Sequence, residues 1–235
     1  MEYQEKIQLQ LEESQSKLQK KDKNNEICNA EVDKLVRFVN ASSCIPFAES
    51  PVIHKIQVSG VDFFDVLCDS QLAGPGWIVI QQQVGGKDRF NRDWATYRKG
   101  FGFIDSDFFL VLEKIYRLTN SRRHELYVHL VALNGTIYYA RYDGFKISDE
   151  NNGYALSLGG FMGNVSEAMR IIENLKFTTF DRYDDKRCAD HYKGDWWYKS
   201  CYNCNLNAVY GTNFNWYLDV KVELKEAKML IRPKE

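Results

Sequence analysis

The chain has 235 residues, enough for one substantial core and an appendage. Its 31 basic and 32 acidic side chains leave a formal net charge of −1 and no basic patch, which argues against nucleic acid as a partner. No apolar run is long enough to predict a membrane span, and the opening MEYQEKIQLQ lacks the apolar core of a secretory leader.

Residues 1–40 are polar, with sparse apolar positions. Leu11, Leu18, Asn25, Val32 and Val39 recur every seven residues, and Ile7, Ser14, Lys21, Cys28 and Leu35 form a companion seam. That is an a/d heptad frame with a polar middle, and it predicts a coiled-coil oligomerisation segment over 1–40. So polar a helix does not hold by itself, so the reading requires a partner chain. Cys28 occupies a d position and is the candidate for an interchain disulfide. The bland alternative is a frayed polar tail.

NASSCIPFAESP, residues 40–51, is a turn-rich junction, and the composition beyond it is that of a mixed globule over 41–235. VIHKIQV, DFFDVLC and GWIVIQQQ read as strands. NRDWATYRKG reads as a short helix capped by Asn91, and SDFFLVLEKIYRLT as a helix capped by Ser106. HELYVHLVAL alternates, and Asn134-Gly135 then signals a hairpin into GTIYYARYDGF. SEAMRIIENL reads as a further helix and VKVELKEAKMLIR as closing strands. Strands neighbouring in sequence predict an α+β fold: a mostly antiparallel sheet with short helices to one side.

Six cysteines allow fifteen connectivities, and spacing alone does not choose among them. Cys201 and Cys204 form one C-x-x-C, without the βαβ surroundings that a redox motif needs. N-x-[ST] sequons stand at Asn40, Asn134 and Asn164. Together with paired cysteines they favour an oxidising, secreted setting, in which case the absent leader implies a truncated or misassigned start. His124 and His129 are five apart on a predicted strand and point to opposite faces, so they do not share a metal. No nucleophile elbow or phosphate loop occurs, and no catalytic set assembles, so the chain reads as a non-enzyme.

What remains is CADHYKGDWWYKSCYNCNLN, residues 188–207. Joining Cys188 to Cys201 would pin a loop rich in rings, at about 3 kcal/mol by loop entropy. The bland reading makes Trp196 and Trp197 a satellite core under an irregular segment. The functional reading makes the loop a shallow pocket for a small polar ligand with an apolar end.

This loop resembles the signature of fibrinogen-related C-terminal domains, the group of ficolins, tachylectins, angiopoietins and fibrinogen chains. The likeness runs in order through GWIVIQQQ, FNRDWATYRKGFG, ELYVHLVALNGTIYYARYDGFKI, YALSLGGFMGNVSEAM and MLIRP, over roughly 41–235. It implies that Cys44 pairs with Cys68 and Cys188 with Cys201, in a secreted protein whose stalk clusters several heads. Lectins of the group receive N-acetyl groups. The resemblance implies that Tyr192 lines that pocket, that a cis Ser200–Cys201 peptide turns the N–H groups of Cys201 and Tyr202 toward an acetyl oxygen, and that Trp216 or Tyr217 supplies an aromatic wall. The family's calcium loop has two aspartates, eight and six residues before the first loop cysteine; here those positions hold Phe180 and Arg182. The stretch is short, Tyr183 stands where a ligand aspartate is expected, and calcium would fall to Asp181, Asp184 and Asp185. The segment between Asn207 and Trp216 is also short, and Cys204 replaces a small polar residue. The implied function is a secreted, oligomeric lectin for N-acetylated glycans. The alternative is an angiopoietin-like ligand docking a receptor protein through the same region. A clotting-like scaffold would need an acidic pocket for a peptide amine, for which Asp190 and Asp195 are thin support.

Overall fold

A computed structural model describes residues 2–199, 201, 204–217 and 221–234; in the N-terminal segment the side chains of residues 2–8, 10 and 34, Ile7 among them, lie outside the description. The chain divides into two compact units, Met1–Ala41 and Ser42–Glu235. The first is one helix, α1 (Glu2–Val39). At about 1.5 Å per residue its 38 residues extend roughly 57 Å. Leu11, Leu18, Val32, Leu35 and Val39 are exposed on it.

The second unit is built on antiparallel strands. In chain order they are β1 (Ile53–Ile56), β2 (Phe64–Asp69), β3 (Trp77–Gln83), β4 (Phe101–Gly102), β5 (Phe108–Phe109), β6 (His124–Ala132), β7 (Ile137–Ile147), β8 (Leu156–Leu158), β9 (Phe161–Gly163), β10 (Cys204–Asn205), β11 (Asn215–Tyr217) and β12 (Lys221–Pro233). Their main path runs β1-β2-β3-β12-β6-β7-β8, so the last strand threads between strands from the first half of the unit. β12 pairs Ala227 with Gln83 on one side and with Leu130 on the other. This non-local insertion commits both ends of the domain to one core. Among the described residues three α-helices accompany the sheet: α2 (Trp94–Lys99), α3 (Leu112–Ser121) and α4 (Cys188–Tyr192).

β3 is buried along its whole length because it is flanked by β2 and β12 and covered on both faces. Its three glutamines use the alternation of a strand. The Nε2 groups of Gln81 and Gln83 donate to the carbonyls of Leu206 and Ala208, at 2.8 and 3.0 Å. The Nε2 of Gln82 points the other way and donates to the Ser106 carbonyl. Buried carboxamides thus act as struts holding irregular chain on opposite faces of the sheet.

Three predicted helices differ from the observed ones. α2 begins three residues after Asn91, and its cap is Asp93, whose carboxylate accepts the Thr96 N–H at 2.8 Å. The run after Ser106 splits. Phe108 and Phe109 pair with Gln82 and Gln81 as β5, Leu110 donates to the Ile80 carbonyl, and α3 starts only at Leu112. The segment 166–175 holds only a 3₁₀ turn, Arg170–Ile172. There Asn174 has a left-handed φ of 64°, which closes the turn, and its N–H pairs with the Leu156 carbonyl. In the second and third cases local helical propensity lost to bonding with the strands; in the first the better-placed carboxylate of Asp93 took the cap.

Asp107 shows how the loops are held. It is buried, and its carboxylate accepts the N–H groups of Val84, Gly85, Lys87 and Asp88 at 2.6, 3.0, 2.5 and 3.3 Å. Bonds to a charged acceptor are about twice as strong as neutral ones. Asp107→Ala is expected to lower the unfolding free energy by about 3 kcal/mol or more, read as a shifted urea midpoint. A loss under about 1 kcal/mol would contradict this account of the loop.

Candidate functional site

The site grows from the segment that follows Phe177. Phe177 packs its ring against Tyr97, Phe109 and Trp197 and so anchors the segment in the core. Thr178 and Trp196 then exchange backbone hydrogen bonds at 2.9 and 3.1 Å. Trp196 and Trp197 are fully buried, and the Trp197 indole N–H donates to the Tyr154 carbonyl at 2.9 Å. The paired tryptophans are therefore core beneath the loop and do not face a ligand.

Cys188 opens α4, and a disulfide joins it to Cys201, 13 residues on, with Cα atoms 4.9 Å apart. A second disulfide joins Cys44 to Cys68. Cys28 is exposed, and Cys204 is a buried free thiol that burial pushes up to about 12. Its place is structural, because a thiol so hard to ionise is a poor nucleophile.

Beyond the bridge the chain is tied down by carboxamides. Asn205 donates from Nδ2 to the Tyr198 hydroxyl at 2.7 Å and accepts the Asn207 N–H at 3.1 Å. Asn207 donates to the Asp195 carbonyl at 2.9 Å. β10 pairs with β11, setting Cys204 opposite Trp216 and Asn205 opposite Asn215; β11 pairs with β12, setting Tyr217 opposite Lys221.

These elements enclose a small cavity of about 20 Å³. Tyr192, Cys201, Asn205, Asn215, Tyr217 and Lys221 line it, with Asn213 and Cys204. That is the room of one water or one methyl group. A shallower depression of about 510 Å³ adjoins it, sharing Tyr192 and Cys201 and adding Lys186, Arg187, Asp190 and His191.

Tyr192, Cys201 and Tyr217, singled out in the sequence, thus meet at one place. Trp216 does not join them. It is fully buried, and its indole N–H donates to the Ser166 carbonyl at 2.7 Å. Neighbours on a strand face opposite ways, so only one of this pair reaches the cavity. Tyr202 and the Ser200–Cys201 peptide lie outside the described residues. The asparagines Asn205, Asn213 and Asn215, with Lys221, are lining residues that the sequence reading missed; cross-strand register brings Asn205, Asn215 and Lys221 together, and Asn213 stands just before β11.

The acidic residues are turned to separate partners. Asp181, Asp184 and Asp185 do not converge: Asp181 accepts the Trp94 N–H at 3.0 Å, whereas Asp184 accepts the N–H groups of Ala189 and Asp190. Among the described residues no group of three or more His, Cys, Asp or Glu side chains gathers as a metal site. Asp190 is engaged by both Arg187 and Lys193, and Asp195 is fully buried, so the two do not form an acidic pocket for an amine. His124 is buried, its Nδ1 lies 2.9 Å from the Arg122 carbonyl, and burial lowers it to about 4.

The sequons differ in setting. Asn40 is exposed after α1. Asn134 lies in the β6–β7 turn, its Oδ1 accepting the Thr136 N–H at 3.0 Å. Asn164 accepts the Tyr139 N–H at 2.7 Å and so ties β9 to β7.

The fold and this loop define a fibrinogen-like globe. The chain matches the C-terminal globular domain of fibrinogen beta and gamma chains over residues 48–234, and it belongs to that family. It is similar to tenascin-R of Homo sapiens, 39% identical over 160 residues, which are 65% of this chain and 12% of that protein. It is 35% identical over 184 residues to ryncolin-4 of Cerberus rynchops, covering 72% of this chain and 53% of that one. Angiopoietin-related protein 6 of Homo sapiens is 34% identical over 200 residues, with 79% and 42% covered. The fibrinogen-like globe domain of human ANGPTL2 superposes with a TM-score of 0.77 at 31% identity, covering 83% of this chain and 99% of that domain. The chain spans a small part of tenascin-R and about half of ryncolin-4. Members of the family are recognition proteins and ligands, not enzymes.

Asp195 yields a pH test. Its oxygens accept the N–H groups of Phe180 and Arg92 at 3.1 and 2.9 Å. Burial, with the nearby Asp181 and Asp184 charges, outweighs those donors and raises it from 3.8 to about 8. The folded carboxyl keeps a proton that the unfolded one releases, so stability falls as pH rises from about 4 towards about 8. Asp195→Asn should be destabilised, since one amide cannot accept both N–H bonds, and should lack this slope. Urea midpoints across the window should show the gap between wild type and variant narrowing as pH rises; a constant gap would contradict the assignment.

Proposed function

We propose that this chain is a secreted, self-associating lectin whose cavity at Tyr192, Cys201 and Tyr217 takes the N-acetyl group of a glycan. The observation that carries the reading is the cavity's size and lining. Room for one methyl group lies beside two tyrosines and several asparagine carboxamides. An acetamide has one methyl to bury and one amide to hydrogen-bond, and the lining offers both kinds of contact. The adjoining depression gives the rest of the sugar a polar floor.

The two disulfides fit an oxidising compartment, and no helix among the described residues is long and apolar enough to cross a membrane. The exposed apolar positions of α1 supply the seam for self-association, with Cys28 placed to bridge chains. One shallow pocket binds weakly, and several heads on a stalk raise avidity by about 10² to 10⁴. The likeness to angiopoietin-related protein 6 favours a second reading, a protein ligand that docks through the same loop.

Retention on immobilised N-acetylglucosamine, with release by free N-acetyl sugar or acetate, distinguishes the two. Tyr192→Ala should fold and lose at least tenfold in retention. Full retention by that variant, or wild-type protein that does not bind the beads, would reject the acetyl pocket.

A further inference from the structure

The loop between Thr179 and Arg187 leads directly into α4 and the cavity. The family resemblance implies a calcium site in this loop. The residues present here do not fit one. Asp181 accepts the Thr179 hydroxyl at 2.7 Å as well as the Trp94 N–H. Asp184 spends its two oxygens on the Ala189 and Asp190 N–H groups, at 3.2 and 3.0 Å. The two carboxylates are thus turned to the starts of two different helices, α2 and α4. Asp185 by itself does not supply the six to eight oxygens that calcium gathers. Phe180, at one of the family's aspartate positions, is 45% exposed and offers hydrocarbon.

At the other position stands a cation. The Arg182 guanidinium lies 4.1 Å over the Trp94 ring and 5.0 Å over the Tyr183 ring. Its Nη1 is 3.3 Å from Glu150 Oε1, and its Nη2 is 3.3 Å from the Tyr183 hydroxyl. The Trp94 indole N–H donates to the same Glu150 oxygen at 2.9 Å, and Arg98 lies 3.4 Å from the other. Lys176 places its ammonium 4.5 Å over the Tyr183 ring. Trp94 and Tyr183 meet edge to face, with centroids 5.6 Å apart. Two aromatic rings and a carboxylate therefore bind fixed positive charge from both sides of the loop. A divalent ion approaching here would meet Arg182, Arg98 and Lys176 before it met a converging set of oxygens.

We propose that Arg182, clamped by Trp94, Tyr183 and Glu150, is a built-in cation that orders the 179–187 loop, and that this domain does without calcium. A planar guanidinium suits the role, because it stacks on rings and stays charged at every pH of interest. Unlike a metal, it does not leave in chelator. The proposal concerns the loop's order and stands apart from the sugar reading.

Thermal unfolding of the full chain, in millimolar calcium chloride and in EGTA, tests it, together with a calorimetric titration of the chain with calcium chloride. The expected result is the same midpoint in both solutions and no saturable heat of calcium binding. Arg182→Ala should melt several degrees lower, equally in both solutions. Arg182→Lys, which keeps the charge but loses the planar stack, should fall between. A midpoint that calcium raises and EGTA lowers would overturn the proposal, as would saturable calcium binding or an Arg182→Ala midpoint equal to wild type. Should Arg182→Ala not fold, the wild-type titration decides the matter. No readout involves sugar, so failure here is distinct from failure of the lectin assay.

Discussion

The cavity exists because one covalent bond closes an irregular loop on itself. Among the described residues between Cys188 and Cys201 the chain has no sheet partner beyond the single bridge of Thr178 with Trp196, and the segment carries four large rings, Tyr192, Trp196, Trp197 and Tyr198. Unpinned, such a loop has many conformations, and most of them expose apolar surface. The bond removes about 3 kcal/mol of that freedom from the unfolded chain. It also holds α4 against the β10–β11 ribbon, so that Tyr192 and Tyr217, from opposite sides, face the same small space.

The sheet contributes the second half of the constraint. A loop pinned only to itself still drifts over the surface. Here the Gln81 and Gln83 carboxamides reach out of a fully buried strand to the carbonyls of Leu206 and Ala208. Asn207 then passes the support to Asp195, and Asp195 to Arg92 and Phe180. Each link pairs a buried donor with an acceptor, although the Oε1 atoms of Gln81 and Gln83 are buried without a partner, which offsets part of what the Nε2 bonds contribute. The network is thus a chain of mutual obligations running from the central sheet to the wall of the site. In the same way Glu125 on β6 receives Arg141 and Arg232, tying three neighbouring strands by charge.

Much of this was legible in the sequence, and for identifiable reasons. The alternation that puts Leu126, Val128 and Leu130 on one face and the Asn134-Gly135 turn announced β6 and β7, because a strand's side chains alternate between its two faces. The heptads announced α1. The order of motifs around Cys188 announced the family, and through it both disulfides. What sequence reasoning missed depends on contacts between distant segments. Ser106 looks like a helix cap, yet its carbonyl serves Gln82 and the residues after it join the sheet. Asn91 looks like a cap, but Asp93 is the one whose carboxylate reaches Thr96. Trp216 and Tyr217 are equal candidates on paper; only the register of β11 against β12 sends one inward and one to the cavity. Arg182 read merely as a missing ligand, since nothing local reveals that Trp94, far upstream, lies beneath it.

The central claim is that the Cys188–Cys201 crosslink fixes the face that carries the proposed pocket. Peptide mapping of natively purified protein, digested without reduction after denaturation in an alkylating agent, tests it most directly. The account predicts one linked peptide pair joining Cys188 to Cys201, another joining Cys44 to Cys68, and Cys204 recovered as an alkylated thiol. Recovery of Cys188 and Cys201 as alkylated free thiols, or of Cys204 bonded to either of them, would contradict it.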